Sequence, residues 1–135
     1  MSSVRETIVI DRNIAHVWAA VRAYEALHVK LAPGLVTNTE LVPGSNPPVR
    51  RVTFADGLVL DEMIVTVDDS MKRLVWSIQS DTVRHHNGAL ELNTLTPNRT
   101  EVIWTADVLP DALAQPFANI MKQGLAVMRS TLEIK

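Results

Sequence analysis

Two ionisable side chains stand among apolar neighbours at the spacing of a β-strand. Glu62 has the parity of Leu58, Leu60 and Ile64, and His86 that of Gly88, Leu90 and Leu92, so each shares a strand face with residues that belong in a core. A carboxylate and an imidazole turned into one interior can hydrogen-bond a small molecule. Because histidine titrates near neutrality, they can also exchange protons with it. A plainer alternative competes in both cases. Val59, Met63, Val65 and Val67 make the other face of the Glu62 segment equally apolar, which would put the carboxylate in water, and a histidine often bonds backbone or stands at a loop end. His85 points away from His86 unless a bulge between Ser80 and His85 exchanges them. For the same reason the two imidazoles do not converge on one metal ion. The chain has no cysteine and no H-E-x-x-H spacing, so no metal is expected. It also has no phosphate-binding glycine loop, dinucleotide fingerprint or G-x-S-x-G elbow, so no cofactor is expected.

Around these two groups the sequence supplies walls. Trp76 shares parity with Leu74 and Ile78, and Trp104 with Val102 and Val108; inward indoles suit a flat apolar ligand as well as an ordinary core. Phe117, Met121, Gly124 and Met128 fall on one stripe of the last segment. The methionines can mould to a ligand or fill gaps, while small residues such as Gly124 and Ala118 leave room. Lys30 reads as a surface lysine.

The elements that must position these residues follow from periodicity. Leu113, Phe117, Ile120, Met121, Gly124, Val127, Met128, Thr131 and Leu132 recur at helical spacing between Pro110 and Glu133. The spacing predicts a turn over 111–115 and then a helix from about Pro116, where proline is tolerated. Its length of about 25 Å, at 1.5 Å per residue, would cross a small sheet. Residues 4–10 read as a half-exposed strand. A helix follows in which Ile14, Val17, Trp18 and Val21 share a face, capped by Asp11 or Asn13, and a second short helix is expected from Tyr24 to Leu31, stopped by Pro33-Gly34. Six short β-rich runs then occupy 35–42, 49–55, 58–67, 73–80, 85–95 and 100–109. Asp56-Gly57 is the best hairpin signal and predicts a type I′ turn. Links this short make consecutive strands antiparallel. The expected fold is α+β: a curved seven-stranded antiparallel sheet, two short helices after the first strand, and a long C-terminal helix over a cavity.

Composition narrows the class further. With 135 residues, 47% hydrophobic, one domain over 1–135 is expected. No apolar run approaches the roughly 18 residues of a membrane span. Arg5 and Glu6 fall where an export signal would be apolar, and the absence of cysteine agrees with a reducing compartment, so a cytoplasmic location is expected. Net charge is −2 with acids and bases interspersed, which disfavours nucleic-acid binding. A homodimer through the helix face or a sheet edge stays open.

This order of elements, with four particular stretches, resembles the helix-grip superfamily known as SRPBCC, START-like or Bet v 1-like, and within it the polyketide cyclase/dehydrase-like branch. The stretches are Ile10-Asp11 leading into Val17-Trp18; Ala32-Pro33-Gly34; the Glu62 strand ending in Asp68-Asp69; and Trp104 to Asp111 running into Met121, Gly124, Met128 and Thr131-Leu132-Glu133. The resemblance covers nearly the whole chain. It implies a cavity for a hydrophobic small molecule such as a lipid, sterol, plant hormone or polyketide; a minority of such proteins catalyse cyclisation or dehydration. By its position before the acidic turn, Glu62 resembles a pocket glutamate of the plant abscisic acid receptors, and Lys30 lies near their pocket lysine. The expectation is therefore binding of a small hydrophobic molecule, with Trp76, Trp104, Phe117, Met121, Gly124 and Met128 as wall and Glu62 and His86 as polar anchors. The alternative is a polyketide cyclase or dehydratase in which His86 removes a proton α to a carbonyl and Glu62 orients it.

Overall fold

Seven segments of alternating apolar and polar residues pair into one antiparallel sheet in the computed structural model, which describes residues 1–134. The strands are β1 (Ser2–Ile10), β2 (Val36–Leu41), β3 (Val49–Phe54), β4 (Val59–Asp68), β5 (Arg73–Gln79), β6 (His85–Thr96) and β7 (Arg99–Leu109). Their order is β1-β7-β6-β5-β4-β3-β2, so the two helical segments between β1 and β2 carry the chain from one edge of the sheet to the other. The long helix α2 (Ala114–Leu132) returns across the concave face.

Local chemistry sets the element ends. Helix α1 (Ile14–Arg22) is capped by Asn13, whose Oδ1 accepts from the His16 N–H at 2.8 Å, while Asp11 pairs with Arg99 instead. The second helix expected over Tyr24 to Leu31 is two tighter pieces, a 3-10 turn Tyr24–Ala26 and a single π turn Leu27–Leu31 closed by Ala32 N–H to Leu27 O at 2.8 Å. The wider turn brings Leu27 and Leu31, four residues apart, to one side. Helix α2 starts two residues earlier than expected, after a 3-10 turn Asp111–Leu113. Pro116 is its third residue, where a backbone N–H has no intrahelical acceptor to lose.

The Asp56-Gly57 hairpin forms, though not as a type I′ turn. Its turn spans Phe54 to Gly57, closed by Gly57 N–H to Phe54 O at 2.9 Å, and Gly57 alone within it has positive φ, at 92°. Asp56 instead accepts from the Leu58 N–H through Oδ1, an Asx arrangement that competes with left-handed backbone. A bulge between Ile64 and Thr66 in β4 switches the parity of the residues beyond it. Leu60, Glu62 and Ile64 point inward before it and Val67 after it, with Val59 and Val65 left about half exposed.

The principal core lies under the C-terminal half of α2, where Leu125, Met128 and Leu132 pack with Ile10, Val17, Trp18, Val21, Leu92 and Val102. Two polar ties fix its borders. Asp69 Oδ1 accepts from both Trp18 Nε1 and Arg22 Nε at 2.8 Å, joining α1 to the β4–β5 turn. Arg12 Nη1 donates to the carbonyls of Leu132 and Ile134, which fastens the end of α2 to the β1–α1 junction. Among the described residues no helix is long and apolar enough to cross a membrane. Leu125 is 2% exposed, so Leu125→Ala is expected to lower unfolding stability by about 2–5 kcal/mol, read as a reduced urea midpoint at unchanged slope.

Candidate functional site

Between the N-terminal half of α2 and the inner face of β3 to β7 lies a cavity of about 270 Å³, just below the roughly 300 Å³ at which ligand pockets commonly begin. Two glycines account for its shape. Gly88 on β6 is the cross-strand partner of Trp76, and a Cβ there would stand 2.9 Å from the indole and 3.0 Å from His86 Cε1. The Trp76 ring therefore lies across bare backbone. Gly124 on α2 does the same for Trp104, whose ring edge would be 2.7 Å from an added Cβ. The two indoles meet edge to face with centroids 5.8 Å apart, a favoured aromatic geometry.

The polar groups sit at two places on this wall. Arg50 and Glu62, cross-strand partners on β3 and β4, form an ion pair with Nε to Oε1 at 2.8 Å, and their side chains are 4% and 8% exposed. Arg50 Nη1 also donates to the Tyr24 carbonyl at 3.0 Å, and its guanidinium carbon stands 5.4 Å from the Trp76 ring centre. His86 is on β6 where the β5–β6 ladder has just ended at Trp76 and Gly88. Its Nδ1 accepts from the Ile78 N–H at 3.1 Å, and Ser77 Oγ donates to its carbonyl; its ring packs on Phe117 at 5.3 Å between centroids. A ring nitrogen that accepts carries no proton, so neutral His86 holds its hydrogen on Nε2. Burial, and secondly the neighbouring His85, push its pKa down from 6.5 to about 4 against the opposing charge of Asp107.

The sequence-predicted residues divide as follows. Glu62, Trp76, His86, Trp104, Phe117, Gly124 and Met128 all line the cavity. Met121 does not; it is fully buried against Ala106 and Val108, because at that turn α2 rests directly on β7. The partner of Glu62 is Arg50, directly across the β3–β4 pair. His85 is exposed on the opposite face and Lys30 is exposed outside the cavity. Arg50 is the buried charged residue of the cavity wall that sequence reasoning missed, although its parity with Val52 and Phe54 marks an inward position. Among the described residues no three His, Asp or Glu side chains gather as a metal site would require.

A long helix gripped by a curved antiparallel sheet, with an apolar chamber between them, defines a helix-grip protein. The chain belongs to the family described as polyketide cyclase / dehydrase and lipid transport, whose profile matches residues 1–133. Solved structures share the fold at low identity. XoxI from Bacillus cereus superposes with a TM-score of 0.86 at 18% identity, over 98% of this chain and 96% of that one. An aromatase/cyclase from Streptomyces sp. R1128 gives 0.76 at 13%, over 98% and 91%. Norcoclaurine synthase from Thalictrum flavum, in complex with dopamine and hydroxybenzaldehyde, gives 0.71 at 14%, over 98% and 84%. No curated protein matches the chain by sequence.

Two measurements probe this site. The unfolded chain takes up a proton at His86 near pH 6.5 and the folded one near 4, so the contribution of this residue is complete above about 6.5 and is lost as pH falls toward 4. It amounts to about 3 kcal/mol at most; thermal unfolding across that window is expected to show the loss, and His86→Gln to flatten it. For the ion pair, Arg50→Met strands a buried carboxylate and is expected to cost about 3–5 kcal/mol, while the Arg50→Met/Glu62→Met double variant recovers much of that. Urea unfolding of the two singles and the double checks this.

Proposed function

We propose that this protein binds a small, largely apolar molecule in the chamber between sheet and α2. The observation that carries the reading is the pair of glycines opposite two tryptophans: at both positions an ordinary side chain would intrude on the indole, so the wall is flat where a core would interdigitate. Leu31, Phe54, Leu74, Ile78 and Leu90 complete an apolar lining, which supplies affinity through burial. Arg50, Glu62 and the Nε2–H of His86 supply the few polar contacts that orient a ligand.

The mouth supports the same reading. Leu58 after the β3–β4 turn, Thr82 and Val83 in the β5–β6 link, and Leu113 and Pro116 at the start of α2 line the cavity while part of each is exposed, so entry needs no unfolding of the core. Catalysis with His86 as base finds less support. One of its nitrogens already accepts a hydrogen bond and the other carries the proton, so abstraction from a substrate would first break the contact with Ile78.

Native mass spectrometry of freshly purified protein tests the proposal, with displacement of a lipophilic dye as the solution assay. A retained small molecule or saturable dye binding is expected. Leu60→Trp, which adds an indole at a half-buried position on the cavity wall, is expected to weaken dye binding at least about tenfold with little change in thermal stability. Failure of the wild-type protein to retain or bind any apolar molecule would overturn the reading.

A further inference from the structure

Two ion pairs of the same chemistry occupy consecutive cross-strand positions, Arg50 with Glu62 on the inner face of β3 and β4 and Arg51 with Asp61 on the outer face. The outer pair, 45% and 32% exposed, closes both arms of the fork: Nε to Oδ1 at 2.8 Å and Nη2 to Oδ2 at 3.0 Å. The inner pair closes one. Arg50 Nε reaches Glu62 Oε1, and Nη1 turns away to the Tyr24 carbonyl. Among the described residues nothing bonds Arg50 Nη2 or Glu62 Oε2. Neither is a sealed buried atom, and both residues line the cavity.

An exposed pair can leave an arm open to water at little cost, whereas a buried donor or acceptor without a partner costs about 1–3 kcal/mol. Here the pair leaves Arg50 Nη2 and Glu62 Oε2 without a protein partner, and both residues line an otherwise apolar chamber. The pair as a whole carries no net charge. A ligand carboxylate would meet Arg50 Nη2 but face the like charge of Glu62 Oε2, and an ammonium would meet the reverse. A group that accepts and donates at once satisfies both atoms. Trp76, Trp104 and the aliphatic lining of the cavity leave an apolar body as the rest of such a ligand.

We infer that the cavity selects an uncharged molecule of ring size whose polar end, a hydroxyl or carboxamide, accepts from Arg50 Nη2 and donates to Glu62 Oε2. This rests on the cavity being a binding site at all. Naphthol, naphthamide, naphthoate and methylnaphthalene, substituted at the same ring position, separate the two statements when titrated at neutral pH by ligand-observed NMR. Naphthol and naphthamide are expected to bind at least about tenfold more tightly than the other two, the effect of about one net hydrogen bond. Methylnaphthalene binding as well as they do, or naphthoate binding best, overturns the assignment and leaves the cavity reading intact; binding by none of the four overturns both.

Variants address the mechanism of selection. Glu62→Gln leaves the arginine charge uncompensated and is expected to turn the preference toward naphthoate by about tenfold. Arg50→Met/Glu62→Met is expected to erase the preference while methylnaphthalene still binds, and its retention of the preference would sink the assignment. Should Glu62→Gln fail to fold, the double variant decides alone.

Discussion

The terminal helix touches the sheet at separate points along its length, and the chamber lies between them. Its C-terminal half is locked by Leu125, Met128 and Leu132 in the core and by Arg12 on its last carbonyls. Near its middle it meets the edge of Trp104 across Gly124, and one turn earlier Met121 is packed on β7 against Ala106 and Val108. Close packing holds at these contacts, and the cavity opens beside them along Phe117, Ile120, Gly124 and Met128. The helix supplies both the lid of the core and the roof of the cavity without a break in its backbone.

The sheet makes a matching adjustment. Beyond Trp76 and Gly88 the β5–β6 ladder stops, and the ring of His86 takes the N–H of Ile78 that a continuing ladder would have satisfied. A side chain replaces a main-chain partner, so the strands separate at the rim without stranding a buried donor. The same substitution decides what kind of group His86 is. Its fixed tautomer and depressed proton affinity make it a neutral donor at the cavity wall. The charged residues that do face inward, Arg50 and Glu62, neutralise one another.

Much of this was legible in the residues and some was not. Period-2 alternation and turn chemistry located all seven strands, and the 3.6 period located α2, because each of those signals reports burial of one face. Glu62 and His86 face inward as their parity allowed; the rival apolar face of β4 carries Asp61, paired outside with Arg51, and the bulge between Ile64 and Thr66, a one-residue event that no propensity announces, turns Val67 inward. Met121 and Met128 sit on the same stripe of α2, yet one rests on β7 and the other on the cavity; which is which depends on where the helix stands off the sheet. Arg50 had no place in the sequence-based site, although its parity with Val52 and Phe54 marks an inward side chain. Partner choice for Glu62 needed the register of β3 against β4, which turn lengths only bound.

The placement of the indoles has an optical consequence. Trp76 and Trp104 border the chamber, while Trp18 is buried elsewhere with its N–H on Asp69. Two of the three tryptophans therefore sense the polarity of the chamber and the third does not, giving the chain a built-in ratio of reporter to reference that requires no label.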